Sequence, residues 1–520
     1  MPPSLVPVRR GAGIRDFIAA MSVASNRAWI GLAVLMLPCL LVSMDLTVLN
    51  LAVPHLSADL RPTSAQLLWI VDIYGFLIAG SLITMGTLGD RIGRRRLLLI
   101  GAAAFGAASV LAAFSTSADM LIATRAVLGL AGATLMPSTL SLIRNMFHDP
   151  VQRTFAIGLW TTSFSVGGML GPLVGGLLLE QFWWGSVFLV GVPAMVLLLI
   201  LGPLLLPEFR DPSPHRYDIA SATLSLIAVL AAIYGIKRWA EDGVDAVAGM
   251  SIAAGIAVGA LFVRRQNTLP DPLIDLGLFR VPAFSTAVVT NMAGFFVMFG
   301  TFLLFAQCLQ LVFGLSPWQA GLWTIPSSVG FTVGSMLTAP LARRINAATM
   351  VSGGLLLAAV GFAVLTRIDA ANGPLLLVAA SVIFSIGLAP VYILTTDLIV
   401  ASAPPARAGA ASAISETGTE LGGALGIAIL GSVATAIYRG VMSHSAPGDI
   451  PVTIMDAAKS TLGAALAAAN TLPDETRAAL LQFARDAFVH ALDIVAVVST
   501  VLMIGTAALA ALLLRRSPAA

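Results

Sequence analysis

The chain has 520 residues, of which 58% are hydrophobic and 11% are charged, and its mean hydropathy is +0.93. Soluble globular chains are about one-quarter charged, so this composition excludes a soluble fold and indicates an integral membrane protein. The two cysteines, Cys39 and Cys308, lie in apolar runs and give no disulfide framework. The net charge of +3 gives no reason to expect a nucleic-acid partner.

The hydrophobic residues form many segments of about 20 residues, each long enough to cross a hydrocarbon core of about 30 Å as a helix. We therefore predict an all-α membrane protein with fourteen transmembrane helices in the lipid bilayer. The predicted spans are 29–53, 67–86, 97–115, 120–142, 154–179, 185–206, 218–237, 246–263, 283–306, 317–341, 349–366, 374–398, 409–437 and 487–513.

Basic residues predict the orientation of these spans. With the N-terminus inside, twenty of the 29 lysines and arginines fall in cytoplasmic segments, eight fall outside, and Arg125 lies within a span. The outer eight include Lys237 and Arg238, at the end of the seventh span. Cytoplasmic loops carry the excess of basic residues, so we predict a multi-pass protein of the cell membrane with both termini cytoplasmic. We also predict that it is a monomer.

Three segments outside the spans complete this organisation. We predict that residues 1–28 are a retained cytoplasmic segment, because the apolar run that follows is about 25 residues and too long for a signal peptide. We expect residues 438–486 to form an extracellular loop with a small helical hairpin, because "TIMDAAKSTLGAALAAAN" and "PDETRAALLQFARDAF" have helical spacing. We expect residues 514–520 to be a cytoplasmic tail.

A faint internal repeat suggests two related halves. The turn "GTLGDRIGRRRLLLI" after the second span has an echo, "TAPLARRINAATMV", after the tenth span. Parallel six-helix halves with a midplane site between them are a recurrent transporter plan. We therefore expect an N-terminal half over 29–206, two inserted helices over 207–282 and a C-terminal half over 283–513.

The turn after the second span carries an acid among its arginines. Gly86, Asp90, Arg91, Gly93 and Arg94 form a G-x-x-x-D-R-x-G-R pattern, in which glycines permit a tight turn and Asp90 can cap the next helix. A basic membrane anchor would explain the arginines but not the acid or the spacing. The pattern resembles the cytoplasmic loop of the major facilitator superfamily, which implies two six-helix halves and a conformational role for these residues.

Three further segments narrow the resemblance. "MDLTVLNLAVP" is similar to the first-span signature of the fourteen-span drug:proton antiporters, and "LIATRAVLGLAGA" is similar to their fourth-span motif, with Leu128 where glutamine is usual. "SVGGMLGPLVGG" supplies Gly167, Gly171, Pro172 and Gly175 of a motif associated with exporters. Glycines at this spacing let helices approach closely and Pro172 favours a kink, so we expect a packing or bending element here.

Three ionisable residues lie in the outer half of the first six spans. At 1.5 Å per residue, Asp45 lies about 13 Å from Pro54, while Asp72 and Arg125 each lie about 7 Å from the outer ends of their spans. Intramembrane ionisable groups are functional candidates by default. A carboxylate locked to Arg125 is useless as a proton carrier near neutral pH, whereas one held away from it could carry. The sequence does not decide which acid is which.

Two more acids lie in "SAISETGTELGGALGIAILGS" of the thirteenth span. Glu416 and Glu420 are four residues apart and share one face of the helix. Two acids so close in a low dielectric are not expected to be ionised together, so the pair could hold a proton or a cation. The resemblance also favours function here, because related pumps carry acids in this span, although the acid that some have in the tenth span is absent.

Hydrophobic cations need aromatic faces as well as carboxylates. The candidate contacts are Trp69, Tyr74, Trp160, Phe164 and Phe299, and each of them could instead fill helix contacts. No H-E-x-x-H, C-x-x-C or G-x-S-x-G pattern occurs. We therefore predict no metal, no cofactor and no enzymatic activity.

Together these observations predict a proton-coupled multidrug efflux antiporter that exports small hydrophobic cations, such as quaternary ammonium compounds and dyes, by alternating access. Asp45, Asp72, Arg125, Glu416 and Glu420 would couple protons, and all of the acids except Asp45 would also contact the substrate. Two alternatives stay open. A proton-coupled carrier of a metabolite would share the fold, and a non-transporting membrane sensor would not need the intramembrane acids.

Overall fold

The computed structural model describes residues 26–210, 218–243, 245–269, 272, 274–368, 374–402, 408–444 and 450–514. All regular structure in these residues is helical. The helices are α1 (Asn26–Leu60), α2 (Ser64–Ile92), α3 (Arg94–Ala113), α4 (Ala118–Met146), α5 (Pro150–Gln181), α6 (Ser186–Leu205), α7 (Ile219–Asp242), α8 (Ala246–Thr268), α9 (Pro282–Gln307), α10 (Pro317–Ala342), α11 (Ala347–Leu365), α12 (Leu375–Ala401), α13 (Ala408–His444), α14 (Val452–Ala458), α15 (Leu462–Ala469) and α16 (Asp474–Leu513).

Thirteen of these helices are long and apolar enough to cross a membrane. The tenth predicted span is also a helix, α10, but serine, threonine, proline and glycine dilute its apolar residues and it is not among the thirteen. It nevertheless packs between α5 and α12 inside the bundle. The structure therefore agrees with the predicted fourteen-helix all-α membrane fold, with α14 and α15 as additional short helices.

Two six-helix halves repeat the same packing. In the first half α1 packs against α5, and in the second half α9 packs against α13. The halves meet along two seams, one between α2 and α13 and the other between α5 and α10. The two inserted helices lie beside the first seam, because α7 packs against both α2 and α13 and α8 packs against α7.

The α1–α5 contact depends on the glycines of "SVGGMLGPLVGG". A Cβ at Gly171 would lie 2.1 Å from Thr47 Oγ1, and a Cβ at Gly167 would lie 2.2 Å from the Leu40 carbonyl oxygen. Gly175 faces the same helix. Removing the side chain lets two helix backbones approach closely in a membrane, so this face of α5 is committed to packing within the first half.

The opposite face of the same segment contacts the second half. A Cβ at Gly176 would lie 2.6 Å from the Pro317 carbonyl oxygen, and a Cβ at Gly321 would lie 2.6 Å from the Pro172 carbonyl oxygen. These contacts lie near the connection between α1 and α2, at what we call the α1–α2 end of the bundle; the opposite end, around Gly93, is the α2–α3 end. The motif therefore joins α5 to its own half and to the other half.

The inserted helices are tied to each other at both ends. Asp218 caps α7 and accepts a hydrogen bond from Arg265 of α8 at 3.0 Å, and Asp245 caps α8 and accepts one from Arg238 of α7 at 2.7 Å. Burial would raise the pKa of the Asp218 carboxyl, but hydrogen bonds from Ser221 and Arg265 outweigh it and lower the pKa below its ordinary value. The helices α7 and α8 thus form one hairpin.

At the α1–α2 end, the chain between α13 and α16 folds over the bundle. The Tyr438 hydroxyl donates to the Ala458 carbonyl oxygen at 2.9 Å, and α15 packs against α1. The segment "PDETRAALLQFARDAF" is not a separate loop helix, because α16 begins at Asp474 and continues to Leu513 without a break. An apolar face continuous with the last span explains this extension, since Leu480, Ala484 and Ala487 are all buried.

The glycine contact makes a testable prediction. Gly171→Ala should lower the stability of the protein by about 1 to 3 kcal/mol, the usual cost of overpacking, because the new methyl group overlaps Thr47. Gly158→Ala is the matched control, since a Cβ at this position of the same helix meets nothing within 4 Å. Thermal unfolding of the purified protein in detergent measures both, and equal melting temperatures for the two variants would contradict the packing argument.

Candidate functional site

An ion pair between α1 and α4 anchors the first half. Arg125 is 1% exposed and donates from its guanidinium to Asp45 Oδ2. Its Nε donates to the Ile70 carbonyl oxygen of α2 at 3.1 Å, and its Cζ lies 4.5 Å from the centre of the Tyr74 ring. Three helices therefore hold the guanidinium, and Asp45 is the carboxylate that neutralises it.

Asp72 does not join this pair. Its Oδ1 accepts a hydrogen bond from Lys237 Nζ at 2.8 Å, and the two side chains are 0% and 1% exposed, respectively. The ammonium also lies 3.7 Å from the centre of the Trp69 ring, a cation–π contact. The structure thus decides what the sequence left open: Asp45 pairs with Arg125 inside the first half, and Asp72 pairs with Lys237 of the inserted helix α7.

The assignment of Lys237 to an outer segment was wrong. A lysine at the end of an apolar span ordinarily extends its ammonium to the membrane surface, and the sequence around Lys237 gives no sign of anything else. The packing of α7 against α2 turns the side chain inward. The sequence indicates only that a buried Asp72 needs a cation. Arg125 was the one cation predicted to lie within a span, so nothing in the sequence pointed to Lys237.

Glu416 and Glu420 lie on α13 and are partly exposed in the bundle. Glu416 lies near Cys39 of α1 and Tyr392 of α12, and Glu420 lies near Tyr74 of α2 and Tyr392. Both glutamates therefore lie between the halves. Within the described part of the chain, neither forms an ion pair. These two acids differ in this respect from Asp45 and Asp72.

Polar residues of the second half surround this position. Asn291 of α9 donates to Thr395 Oγ1 of α12 at 3.1 Å and accepts from Thr419 Oγ1 of α13 at 2.9 Å. A small cavity lies beside Asn291 and is lined by Phe295 and Tyr392, whose rings meet edge to face at 5.1 Å. Sequence analysis missed Asn291 and Tyr392, because isolated polar residues in an apolar helix form no pattern.

The other aromatic candidates lie on α5 and α9. Trp160 Nε1 donates to Thr139 Oγ1 at 3.1 Å, so its polar edge is already engaged within the first half. Phe164 is half-buried against the main apolar core. Phe299 packs on Gly423, where an added Cβ would be 3.3 Å from the ring, and this contact is one helical turn from Glu420 of α13.

The turn at the α2–α3 end differs from expectation in one detail. Asp90 does not cap α3; it lies in the last turn of α2 and accepts a hydrogen bond from Arg94 Nε at 2.7 Å. Gly93 takes the cap position with a φ of 111°, a conformation that favours glycine. Arg91 is exposed, and Gly86 faces α4. Asp90 and Arg94 thus link α2 to α3 directly.

The chain that follows α6 holds this turn in place. The Arg94 backbone N–H donates to the Phe209 carbonyl oxygen at 2.9 Å, and the Arg95 backbone N–H donates to Glu208 Oε1 at 3.1 Å. A carboxylate near the first turn of a helix is favourable. These two hydrogen bonds therefore link the α2–α3 turn to the chain that follows α6. Among the described residues, no group of three or more His, Cys, Asp or Glu is placed to hold a metal ion.

Comparison with known proteins places this arrangement in a family. Residues 35–427 match the family model of the Major Facilitator Superfamily. The multidrug efflux pump LfrA of Mycolicibacterium smegmatis is 44% identical over 491 residues, which cover 94% of this chain and 97% of LfrA. The methyl viologen resistance protein SmvA of Salmonella typhimurium is 35% identical over 464 residues, covering 89% of this chain and 93% of SmvA.

Solved structures show the same fold at low sequence identity. A bacterial homologue of the human lysosomal transporter Spinster, in an inward-facing and unoccupied conformation, superposes with a TM-score of 0.65 at 17% identity, over 95% of this chain and 100% of that chain. The peptide transporter POT in complex with sulfate gives a TM-score of 0.58 at 18% identity, over 92% and 95% of the two chains. The chain therefore belongs to the major facilitator superfamily and is a multi-pass membrane transporter, not an enzyme.

Proposed function

We propose that this protein is a proton-coupled antiporter that exports hydrophobic cations across the cell membrane. The observation that carries the proposal is the pair Glu416 and Glu420, two acids one helical turn apart, between the halves, with no ion pair among the described residues. The relatives support efflux, since LfrA is named a multidrug efflux pump. The name of SmvA refers to methyl viologen, an aromatic dication.

The orientation follows from the basic residues. Because Lys237 is buried, seven of the eight basic residues predicted to lie outside remain there. Twenty lie in the segments predicted to be cytoplasmic. The excess of basic residues supports cytoplasmic termini, with the α1–α2 end facing outward. The contacts of Gly176 and Gly321 between the halves lie at this outer end. A substrate would accordingly reach the acids from the cytoplasmic side.

Exchange follows from the chemistry of the two glutamates. An ionised carboxylate attracts a cation, and the attraction is strong where the dielectric is low. Protonation removes the charge and with it the attraction, so a proton and a cation compete for the same oxygens. When the halves rock and open the site outward, protons that enter from outside displace the cation. Phe295, Phe299 and Tyr392 supply aromatic faces for an organic cation.

The paired acids have a different part in this scheme. Asp45 is bound to Arg125, so neutralising it would leave a buried guanidinium without its partner. We propose that this pair positions α1, α2 and α4. Asp90 and Arg94 lie at the α2–α3 turn, and the glycines of α5 lie along the contacts of α5 with α1 and with the second half; we propose that both groups act when the halves move. Under this proposal the proton that drives export binds at the acids of α13.

Neutralising the acids of α13 should uncouple transport from the proton gradient. In proteoliposomes, Glu420→Gln and Glu416→Gln should each slow ethidium movement driven by an imposed pH gradient by about tenfold or more, a loss of about 1.4 kcal/mol of transition-state stabilisation. Asp456→Asn is the control, because this carboxylate is 65% exposed on α14. Full gradient-driven transport by both glutamine variants would refute the assignment of the coupling site.

The same assay separates the alternatives. Movement of ethidium by the wild-type protein with no dependence on the pH gradient would refute proton coupling. No movement of ethidium or tetraphenylphosphonium in either direction would favour the metabolite carrier or the sensor.

The Asp45 and Arg125 pair makes a prediction about stability. Asp45→Asn should cost about 3 to 5 kcal/mol, because it leaves a buried charge uncompensated, and the double variant Asp45→Asn with Arg125→Gln should recover part of that loss. Thermal unfolding in detergent measures this order. If Asp45→Asn keeps the wild-type melting temperature but loses gradient-driven transport, Asp45 is a proton carrier and the positioning role is wrong.

A further inference from the structure

The ammonium of Lys237 lies in surroundings that would suit an organic cation. It meets the Asp72 carboxylate at 2.8 Å and the face of Trp69 at 3.7 Å, and it is shielded from solvent. A carboxylate and an indole face are the two groups that recognise a cation in an apolar environment. The inserted helix α7 therefore delivers a cation of the chain itself to a cation-binding pair on α2.

The Asp72 carboxylate is only half satisfied by this contact. Oδ1 accepts from Lys237, but the buried Oδ2 has no hydrogen-bond partner within the part of the chain that the structure describes. Leaving a charged oxygen buried without a partner is costly. The ion pair with Lys237 therefore leaves the carboxylate with acceptor capacity that an incoming group can use.

A cleft leads toward this site. It lies between α2, α7 and α13 and is lined by residues such as Phe76, Leu226, Val229 and Leu421. Its lining is mostly apolar, which suits the apolar body of a hydrophobic cation. Phe76 lines the cleft and lies one turn from Asp72 on α2, and Trp69 packs against the small apolar cluster that contains Phe76 and Ile233.

We infer that Asp72 and Trp69 form a second cation subsite at the junction of α2, α7 and α13, and that Lys237 is its built-in occupant, which a hydrophobic cation displaces. The inference rests on the proposed function. Replacing one monovalent cation by another leaves the net charge of the site unchanged, so the exchange avoids burying an uncompensated charge.

The displaced lysine has a place to go. Lys237 lies five residues before the last residue of α7, Asp242, which is about 7.5 Å at 1.5 Å per residue. A lysine side chain can extend over that distance toward the end of its helix and the membrane surface. Its ammonium is strongly hydrated compared with bulky organic cations, so release to water favours the exchange.

The consequence concerns the inserted hairpin. The ion pair between Lys237 and Asp72 links α7 to α2, and α7 also packs against α13, so the hairpin spans the first seam between the halves. Binding of a cation at Asp72 would break this link. The subsite thereby couples cation binding to the seam along which the two halves must move, without using the glutamates of α13.

Lysine labelling tests the displacement in the wild-type chain. The sequence has two lysines, the buried Lys237 and the surface Lys459, whose side chain is 30% exposed. The purified protein is acetylated with a membrane-permeable amine reagent, with and without saturating tetraphenylphosphonium, and peptide mass spectrometry follows both sites. The probe should accelerate labelling of Lys237 by about threefold or more, as its bound fraction falls, and should leave Lys459 unchanged. Unchanged labelling of Lys237 by a probe that calorimetry shows to be bound would overturn the inference.

Substitutions test the competition directly. Lys237→Met should tighten binding of tetraphenylphosphonium by about tenfold, because removing an internal competitor raises the available fraction of the site. Adding Asp72→Asn should abolish that gain. The double variant has no uncompensated buried charge at this site, so it stays testable if Lys237→Met alone does not fold. Lys459→Met is the matched control and should bind as the wild type does.

These results separate the two proposals. A folded Lys237→Met protein that binds the probe no more tightly than the wild type overturns the displacement. This holds even if gradient-driven transport by the wild type depends on Glu420, as the proposed function requires. If the wild-type protein neither binds nor transports cations, the proposed function is refuted, and the subsite with it.

Discussion

The requirement that buried charges be paired governs this structure. A charge in the low dielectric of the membrane interior is tolerated only with a partner and hydrogen bonds. Arg125 meets this requirement through Asp45 and the backbone of α2, and Lys237 meets it through Asp72 and the face of Trp69. These two pairs join α1, α2, α4 and α7, so the same requirement that limits charges in the bilayer also positions the helices of the first half.

Against this background the acids of α13 differ from the others. Asp45 and Asp72 each have a cation in contact, whereas Glu416 and Glu420 have none among the described residues and lie between the halves. A carboxyl group that lacks a fixed cation is available to a mobile one, or to a proton. The division between acids on the first half that already hold a cation of the chain and acids on the second half that hold none supports the proposed exchange.

Packing must allow the halves to move while keeping each half intact. Small residues serve both needs, because Gly171 lets α5 lie close to α1, and Gly176 lets the same helix touch α10 across the seam. The second half repeats the device, since a Cβ at Gly426 of α13 would lie 2.0 Å from the Phe296 carbonyl oxygen of α9. The two halves thus pair their helices in the same way, in agreement with the weak internal repeat in the sequence.

The sequence by itself determined the fold class, the span count and the family, because hydrophobic length and local motifs are properties of consecutive residues. It also identified Asp45, Asp72, Arg125, Glu416 and Glu420, since a charge in an apolar run is visible without knowing its neighbours. Which charges meet is a property of helix packing. Only the tertiary structure decided that Asp72 binds Lys237 and not Arg125, because α7 is inserted far along the chain and its lysine turns inward only when α7 packs against α2.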